Sequence, residues 1–352
     1  MQHGHGDDIH AYPDIRLNFS SNVYNHFDHS ALFAYLTTQL PLLGNYPEPT
    51  PSRLEQALAK RLQLTPPQVM ATSGATEAIY LVAQAFGGSR SYILGPTFSE
   101  YADACRIHAH RTATLTPHTP AEALEALAAI PRQPQGETPA LCWLCNPNNP
   151  TGTVLERKGL LQLVQRRPDL LFVVDASYAP FTAEPLLQPA HAAGLPNVVM
   201  LHSMTKRFAI PGLRLGFVTA HAGLLERLRA LQMPWSVNSL AQAAGHYLLA
   251  HVADYHLPLQ QLLNERTRVA EALAQLGVGV HPSDTHILLC QCPCGTAAWL
   301  KDRLAHDHGI LIRDASNFSG LTQAHFRIAV QQPTENDRLL AAIAHLLNPL
   351  EP

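Results

Sequence analysis

The stretch Ser203-Met204-Thr205-Lys206-Arg207-Phe208-Ala209-Ile210-Pro211-Gly212-Leu213-Arg214-Leu215-Gly216 decides how the rest of the chain is read. It follows an apolar run, Val198-Val199-Met200-Leu201, that reads as a buried strand. Lys206 therefore sits just past a strand end, flanked by the hydroxyls of Ser203 and Thr205, with Arg214 eight residues further on. An amine in that place can form an imine with an aldehyde, and Ser203 and Arg214 can hold a phosphate. A lone lysine is ordinarily solvated surface, so the reading depends on what the other strand ends carry.

Four further turns follow apolar runs, at the strand ends where open α/β sheets bind ligands. After Val69-Met70-Ala71-Thr72 comes Ser73-Gly74-Ala75-Thr76-Glu77. Gly74 permits a tight turn into a helix whose first N–H groups, with Ala75 and the Thr76 hydroxyl, face an anion; an ordinary strand-to-helix turn has the same look. After Tyr92-Ile93-Leu94 comes Gly95-Pro96-Thr97-Phe98-Ser99-Glu100-Tyr101, where Phe98 either stacks on a ring or fills the core. After Leu141-Cys142-Trp143-Leu144 comes Asn146-Pro147-Asn148-Asn149-Pro150-Thr151-Gly152, whose two Asn-Pro steps predict an extended turn presenting Asn149. After Leu171-Phe172-Val173-Val174 comes Asp175-Ala176-Ser177-Tyr178. A carboxylate closing an apolar strand is costly to bury unpaired; a protonated pyridine nitrogen would satisfy it, the alternative being a helix N-cap.

An aldehyde, a phosphate, a pyridine nitrogen and a phenolic oxygen within reach of Asn149 and Tyr178 together describe pyridoxal 5'-phosphate, a cofactor held as a lysine Schiff base with an acidic partner. Lys206, Asp175 and Tyr178 are the catalytic candidates. Gly74, Ala75, Thr76, Phe98, Asn149, Ser203, Thr205 and Arg214 join them as the cofactor-binding set. Two arginines lie on apolar strands nearer the C-terminus, Arg327 in His325-Phe326-Arg327-Ile328-Ala329-Val330 and Arg313 in Gly309-Ile310-Leu311-Ile312-Arg313-Asp314. A guanidinium there points to bidentate binding of substrate carboxylate or phosphate, so two of them point to two anionic groups. A structural ion pair is the other reading, for Arg313 with Asp314 above all.

The composition frames this. The chain has 352 residues, 46% hydrophobic and 14% charged, ample for one large and one small domain and unlike a disordered chain. A net charge of −3 without a basic block argues against nucleic acid or an anionic membrane as partner. The N-terminus lacks the regions of a signal peptide, and no apolar run would span a bilayer, so a cytoplasmic protein is expected. Cys142-Trp143-Leu144-Cys145 has metal-pair spacing, but on a strand these residues point to opposite faces. Cys290, Cys292 and Cys294 alternate as on another strand. All are read as reduced, mostly buried thiols, and no metal site is expected. The twenty histidines are scattered.

The alternation of strand and helix signals predicts an α/β fold: a mainly parallel sheet sandwiched by helices, with a small α+β C-terminal domain. Residues 1–45 read as an irregular arm interrupted by a short amphipathic segment at 30–40, residues 46–250 as the large cofactor-binding domain and 251–352 as the small domain. The small domain should hold strands at 287–291, 310–313 and 326–330.

The ordered motifs between Asn45 and Val330 resemble the fold-type I pyridoxal-phosphate enzymes of aminotransferase class I/II. Within them the chain looks most like histidinol-phosphate aminotransferase and threonine-phosphate decarboxylase. The resemblance implies a homodimer in which Tyr46, in Gly44-Asn45-Tyr46-Pro47-Glu48-Pro49, crosses to the neighbouring subunit's cofactor phosphate. His5-Gly6-Asp7-Asp8 and Phe19-Ser20-Ser21-Asn22 resemble arm elements of the decarboxylase, which implies substrate-binding roles for His5 and Asn22 beside Arg327, Arg313 and Asn149. The arm departs from the pattern at Asp7, and Asp175-Ala176-Ser177 stands where Asp-Glu-Ala is usual. The implied reactions are decarboxylation of L-threonine O-3-phosphate, a step toward the cobalamin side chain, or transamination of histidinol phosphate. A non-catalytic sensor with this fold would carry a DNA-binding module ahead of it, and here the arm comes first. A nicotinamide dehydrogenase is excluded because no Gly-x-Gly-x-x-Gly follows a strand.

Overall fold

In the computed structural model, residues 8–134 and 138–347 are described. The arm contributes a short strand, β1 (Leu17–Asn18). The large sheet is built from β2 (Val69–Thr72), β3 (Arg90–Leu94), β4 (Arg111–Leu115), β5 (Ala140–Cys145), β6 (Leu170–Asp175), β7 (Val198–Ser203) and β8 (Gly216–Ala220) in the order β2-β8-β7-β6-β5-β3-β4. Only β8 runs antiparallel to its neighbours; the other pairings are parallel. Every residue of β5 and β6 is buried, as expected of central strands covered by helices on both faces. Trp143, Phe172, Val173 and Leu201 anchor the two apolar layers. No helix among the described residues is long and apolar enough to cross a membrane.

A second sheet holds β9 (Gly279–Val280), β10 (Ile287–Gln291), β12 (Arg313–Asp314) and β13 (His325–Ala329) in the order β12-β13-β10-β9, while β11 (Ile310–Leu311) pairs in parallel with β1. Two expectations change here. The strand at 310–313 breaks at Ile312, because its first half pairs with the arm and its second half with β13. The cysteine alternation ends early: β10 stops at Gln291, so Cys292 and Cys294 lie in the loop beyond, Cys294 exposed. The arm is also more ordered than expected. Phe19 donates its N–H to the Leu311 carbonyl (2.8 Å) and accepts from the Ala329 N–H (2.9 Å), threading between the two edges.

Register puts the site at one edge of the large sheet. β2, β3, β5, β6 and β7 end there and β8 begins there; Thr72 and Ser203 both face Gly216, and Cys145 faces Asp175. Gly216 is small for a reason: a Cβ on it would stand 2.7 Å from the Ala75 nitrogen and 2.8 Å from the His202 carbonyl oxygen. Backbone cannot yield as a flexible side chain would, so Gly216→Ala should cost roughly 1–3 kcal/mol. A melting temperature several degrees below wild type is the expected result, and an unchanged one would contradict the tight seating of this turn.

Candidate functional site

Lys206 lies in a one-turn helix, Met204–Phe208, whose N-cap Ser203 accepts a hydrogen bond from the Lys206 N–H (3.4 Å). Its ammonium donates to Oδ1 of Asn22, and the Asn22 amide donates to the Tyr178 hydroxyl. The arm thus reaches the amine directly. Asn18 fixes that part of the arm by accepting from the N–H groups of Ser20 (3.0 Å) and Ser21 (2.9 Å). Of the chain's other lysines, Lys60 and Lys158 are exposed on helices and Lys301 is paired with Asp8. The Tyr178 phenol is pushed well above its ordinary pKa by burial, with the Arg327 charge opposing.

Asp175 ends β6, 5% exposed. Its Oδ2 accepts from the Tyr101 hydroxyl (2.7 Å) and its Oδ1 from the Ser177 N–H (2.9 Å). The buried Asn149 accepts through Oδ1 from an Arg327 guanidinium nitrogen (2.7 Å), and Arg327 also donates to the Ser20 carbonyl. The N-cap alternative for Asp175 is not what the structure contains, since only a single 3-10 turn, Ala179–Phe181, follows.

At the other end of the cleft, the helix Gly74–Ala85 begins with Gly74 at φ +76°. A Cβ there would meet an Arg214 guanidinium nitrogen at 2.6 Å, so the glycine lets the guanidinium lie against the helix start. Arg214 itself holds a left-handed backbone, φ +54°. The Thr205 hydroxyl is buried without a hydrogen-bond partner. Helix-start N–H groups, a guanidinium and a buried unsatisfied hydroxyl are together chemically suited to a phosphate.

One cleft collects Asn22, Ala75, Thr76, Phe98, Asn149, Asp175, Tyr178, Ser203, Thr205, Lys206 and Arg214, with Tyr101, Cys145 and Ser177 in its wall. A second cleft adjoins it through Asn22, Phe98, Asn149 and Lys206 and is lined also by Ser20, Ser21, Arg313, Asn317, Phe318 and Arg327. Arg313 and Arg327 face each other across β12 and β13. Arg313 donates to Oδ1 of Asn317 (2.9 Å) and lies over the Phe318 ring at 5.5 Å. Burial pulls its pKa down, with Asp314 and Asp8 opposing. Tyr46 is not in either cleft: it is 85% exposed and packs on Trp235 with ring centroids 5.4 Å apart. His5 falls outside the described residues. Sequence reasoning passed over Tyr101, although it stands three residues after Phe98, and over Asn317, which sits in a loop without periodicity.

The model of the family described as aminotransferase class I and II matches residues 14–343. The chain belongs to this family. It is 33% identical to threonine-phosphate decarboxylase of Salmonella typhimurium over 97% of this chain and 93% of that one. A crystal structure of L-threonine-O-3-phosphate decarboxylase from Porphyromonas gingivalis superposes with a TM-score of 0.87 at 38% identity, covering 94% of this chain and 99% of that one. Histidinol-phosphate aminotransferase of Caldanaerobacter subterraneus is 28% identical over 86% of this chain and 84% of that one. The chain is a pyridoxal-phosphate-dependent enzyme. The cleft fits that cofactor, with the unsatisfied Thr205 hydroxyl and the Gly74–Arg214 contact at one end and a buried carboxylate at the other. When bound, it supplies a sink for the electron pair left as a bond to the substrate Cα breaks.

Charge-assisted hydrogen bonds contribute roughly 1.5–3 kcal/mol each. Arg214→Met should therefore weaken pyridoxal phosphate binding about 10- to 100-fold in an equilibrium titration. Wild-type affinity in that variant would remove Arg214 from the phosphate cradle.

Proposed function

We propose that the protein decarboxylates L-threonine O-3-phosphate, a step toward the cobalamin side chain, as a cytoplasmic homodimer. The observation that carries this reading is the facing pair Arg313 and Arg327 in the cleft beside Lys206. Both guanidiniums line that cleft and can each take an anion, and threonine phosphate brings two, a carboxylate and a phosphate. Histidinol phosphate brings one. The relatives named threonine-phosphate decarboxylase support the same choice.

In this reading Lys206 holds the cofactor aldehyde, and Ser203, Thr205, Arg214, Thr76 and the N–H groups at Gly74 and Ala75 hold its phosphate. Asp175 faces the ring nitrogen, Asn149 and Tyr178 the phenolic oxygen, and Phe98 the ring face. Arg327 holds the substrate carboxylate, with Asn149 and Asn22 beside it. Arg313, with His5 from the arm, takes the substrate phosphate. Lys206 would be released as the ammonium when the substrate amine takes its place at the aldehyde; the bond from Cα to the carboxylate carbon would break, carbon dioxide would leave, and Lys206, oriented by Asn22, would give the proton that replaces it at Cα. Orientation of the carboxylate by Arg327 selects this bond over the Cα–H bond.

The homodimer places Tyr46 at the neighbouring subunit's phosphate cradle. Its exposure, together with that of Phe33 (60%), Leu43 (63%) and Met233 (75%), supports an apolar face covered by a second copy. Buried free thiols at Cys142, Cys145 and Cys290 suit a reducing compartment. We assign residues 46–250 to the large domain and 251–352 to the small one, with the arm knitted to the latter.

The second reading, histidinol-phosphate aminotransferase, is favoured by one feature: glutamate, its amino donor, also carries two carboxylates for Arg313 and Arg327. Incubation with threonine phosphate should release carbon dioxide, and Arg313→Ala should raise KM for it about tenfold or more. Glutamate formed from an amino donor and 2-oxoglutarate, with no carbon dioxide, would select the aminotransferase instead.

A further inference from the structure

Tyr101 stands one turn past Phe98, on the helix Glu100–Ile107 that follows β3. It is 1% exposed and lies in the cleft wall. Its ring stacks on Trp143 (centroids 5.8 Å apart, 21° between planes) and meets Phe98 edge-on at 5.8 Å. Clamped between the two, the ring has little freedom to swing, and its hydroxyl stands 2.7 Å from Oδ2 of Asp175. The Ser177 N–H holds Oδ1 at 2.9 Å. A carboxylate has room for about four hydrogen bonds. These two set its plane and leave lone pairs for a further donor.

We propose that Tyr101 is a positioning residue of the cofactor site: its hydroxyl fixes the Asp175 carboxylate in the orientation that receives the ring nitrogen of pyridoxal phosphate. This rests on the reading of Asp175 given above. The hydroxyl stays protonated and donates to Oδ2 of Asp175, because burial and the Asp175 charge hold the phenol well above its ordinary pKa. The loop entering this helix thus offers Phe98 to the ring face, and the helix's first turn offers Tyr101 to the residue at the ring nitrogen.

Tyr101→Phe keeps the stacked ring and deletes only the hydroxyl. The expected result is an apo protein that melts near the wild-type temperature and binds pyridoxal phosphate about tenfold more weakly by fluorescence titration. In an Asp175→Asn background the same substitution should change the affinity by less than about twofold, since coupled residues do not add. An unchanged affinity for Tyr101→Phe overturns the proposal, as does an equal loss in both backgrounds or a lowered melting temperature with affinity intact, either of which assigns the hydroxyl to packing. If Asp175→Asn alone binds as wild type does, the underlying reading of Asp175 fails, an outcome distinct from failure of Tyr101→Phe by itself.

Discussion

The register of the large sheet is the constraint on which everything else depends. Thr72, Gly216 and Ser203 lie abreast at one edge, and Cys145, Asp175 and Leu201 lie abreast beside them. A slip of one residue in any pairing would turn every side chain of that strand to the other face. Asp175 would then point into a helix layer, and the turn carrying Lys206 would be displaced from the turn carrying Asn149. The buried runs of β5 and β6 hold the register through their backbone ladders and apolar packing on both faces, which is how a polar cleft can be cut into the edge of so hydrophobic a sheet.

A second layer of constraint comes from outside the sheet. Arg327 reaches from β13 to Asn149 and to the Ser20 carbonyl, so one buried cation ties the small sheet, the large sheet and the arm together. The Asp284 N–H donates to the Gly152 carbonyl (2.9 Å) and the Val154 N–H to the Asp284 carboxylate (2.8 Å), pinning the same turn from the other side. A buried guanidinium is tolerable only with such partners. In the functional reading it is also the group that holds the substrate carboxylate, so the joint between the layers and the substrate site are one feature.

Much of this was legible in the chain because each strand of the large sheet's centre is a continuous apolar run ending in an unusual polar string. Asn146 to Gly152 and Asp175 to Tyr178 announce themselves because nothing in a plain turn calls for those residues. β4, Arg-Thr-Ala-Thr-Leu, gave no such signal: it is an edge strand, mostly exposed, and has no apolar face to write into its sequence. The pairing of the arm with β11 was equally silent, since two-residue strands have no period. Arg313 and Arg327 could be read as strand-borne cations, but not as facing partners, because register between β12 and β13 is set by the loop that joins them. Tyr101 was hidden for another reason: a buried tyrosine in a helix reads as core until its acceptor is seen.

The central claim is that this edge carries a cofactor bonded to Lys206. The chain has only three other lysines, Lys60, Lys158 and Lys301, so the claim can be read out without ambiguity. Borohydride reduction of the pyridoxal-phosphate-loaded protein, followed by proteolysis and mass spectrometry, should place the phosphopyridoxyl group on the peptide containing Lys206. Labelling of another lysine instead, or none, would contradict the account.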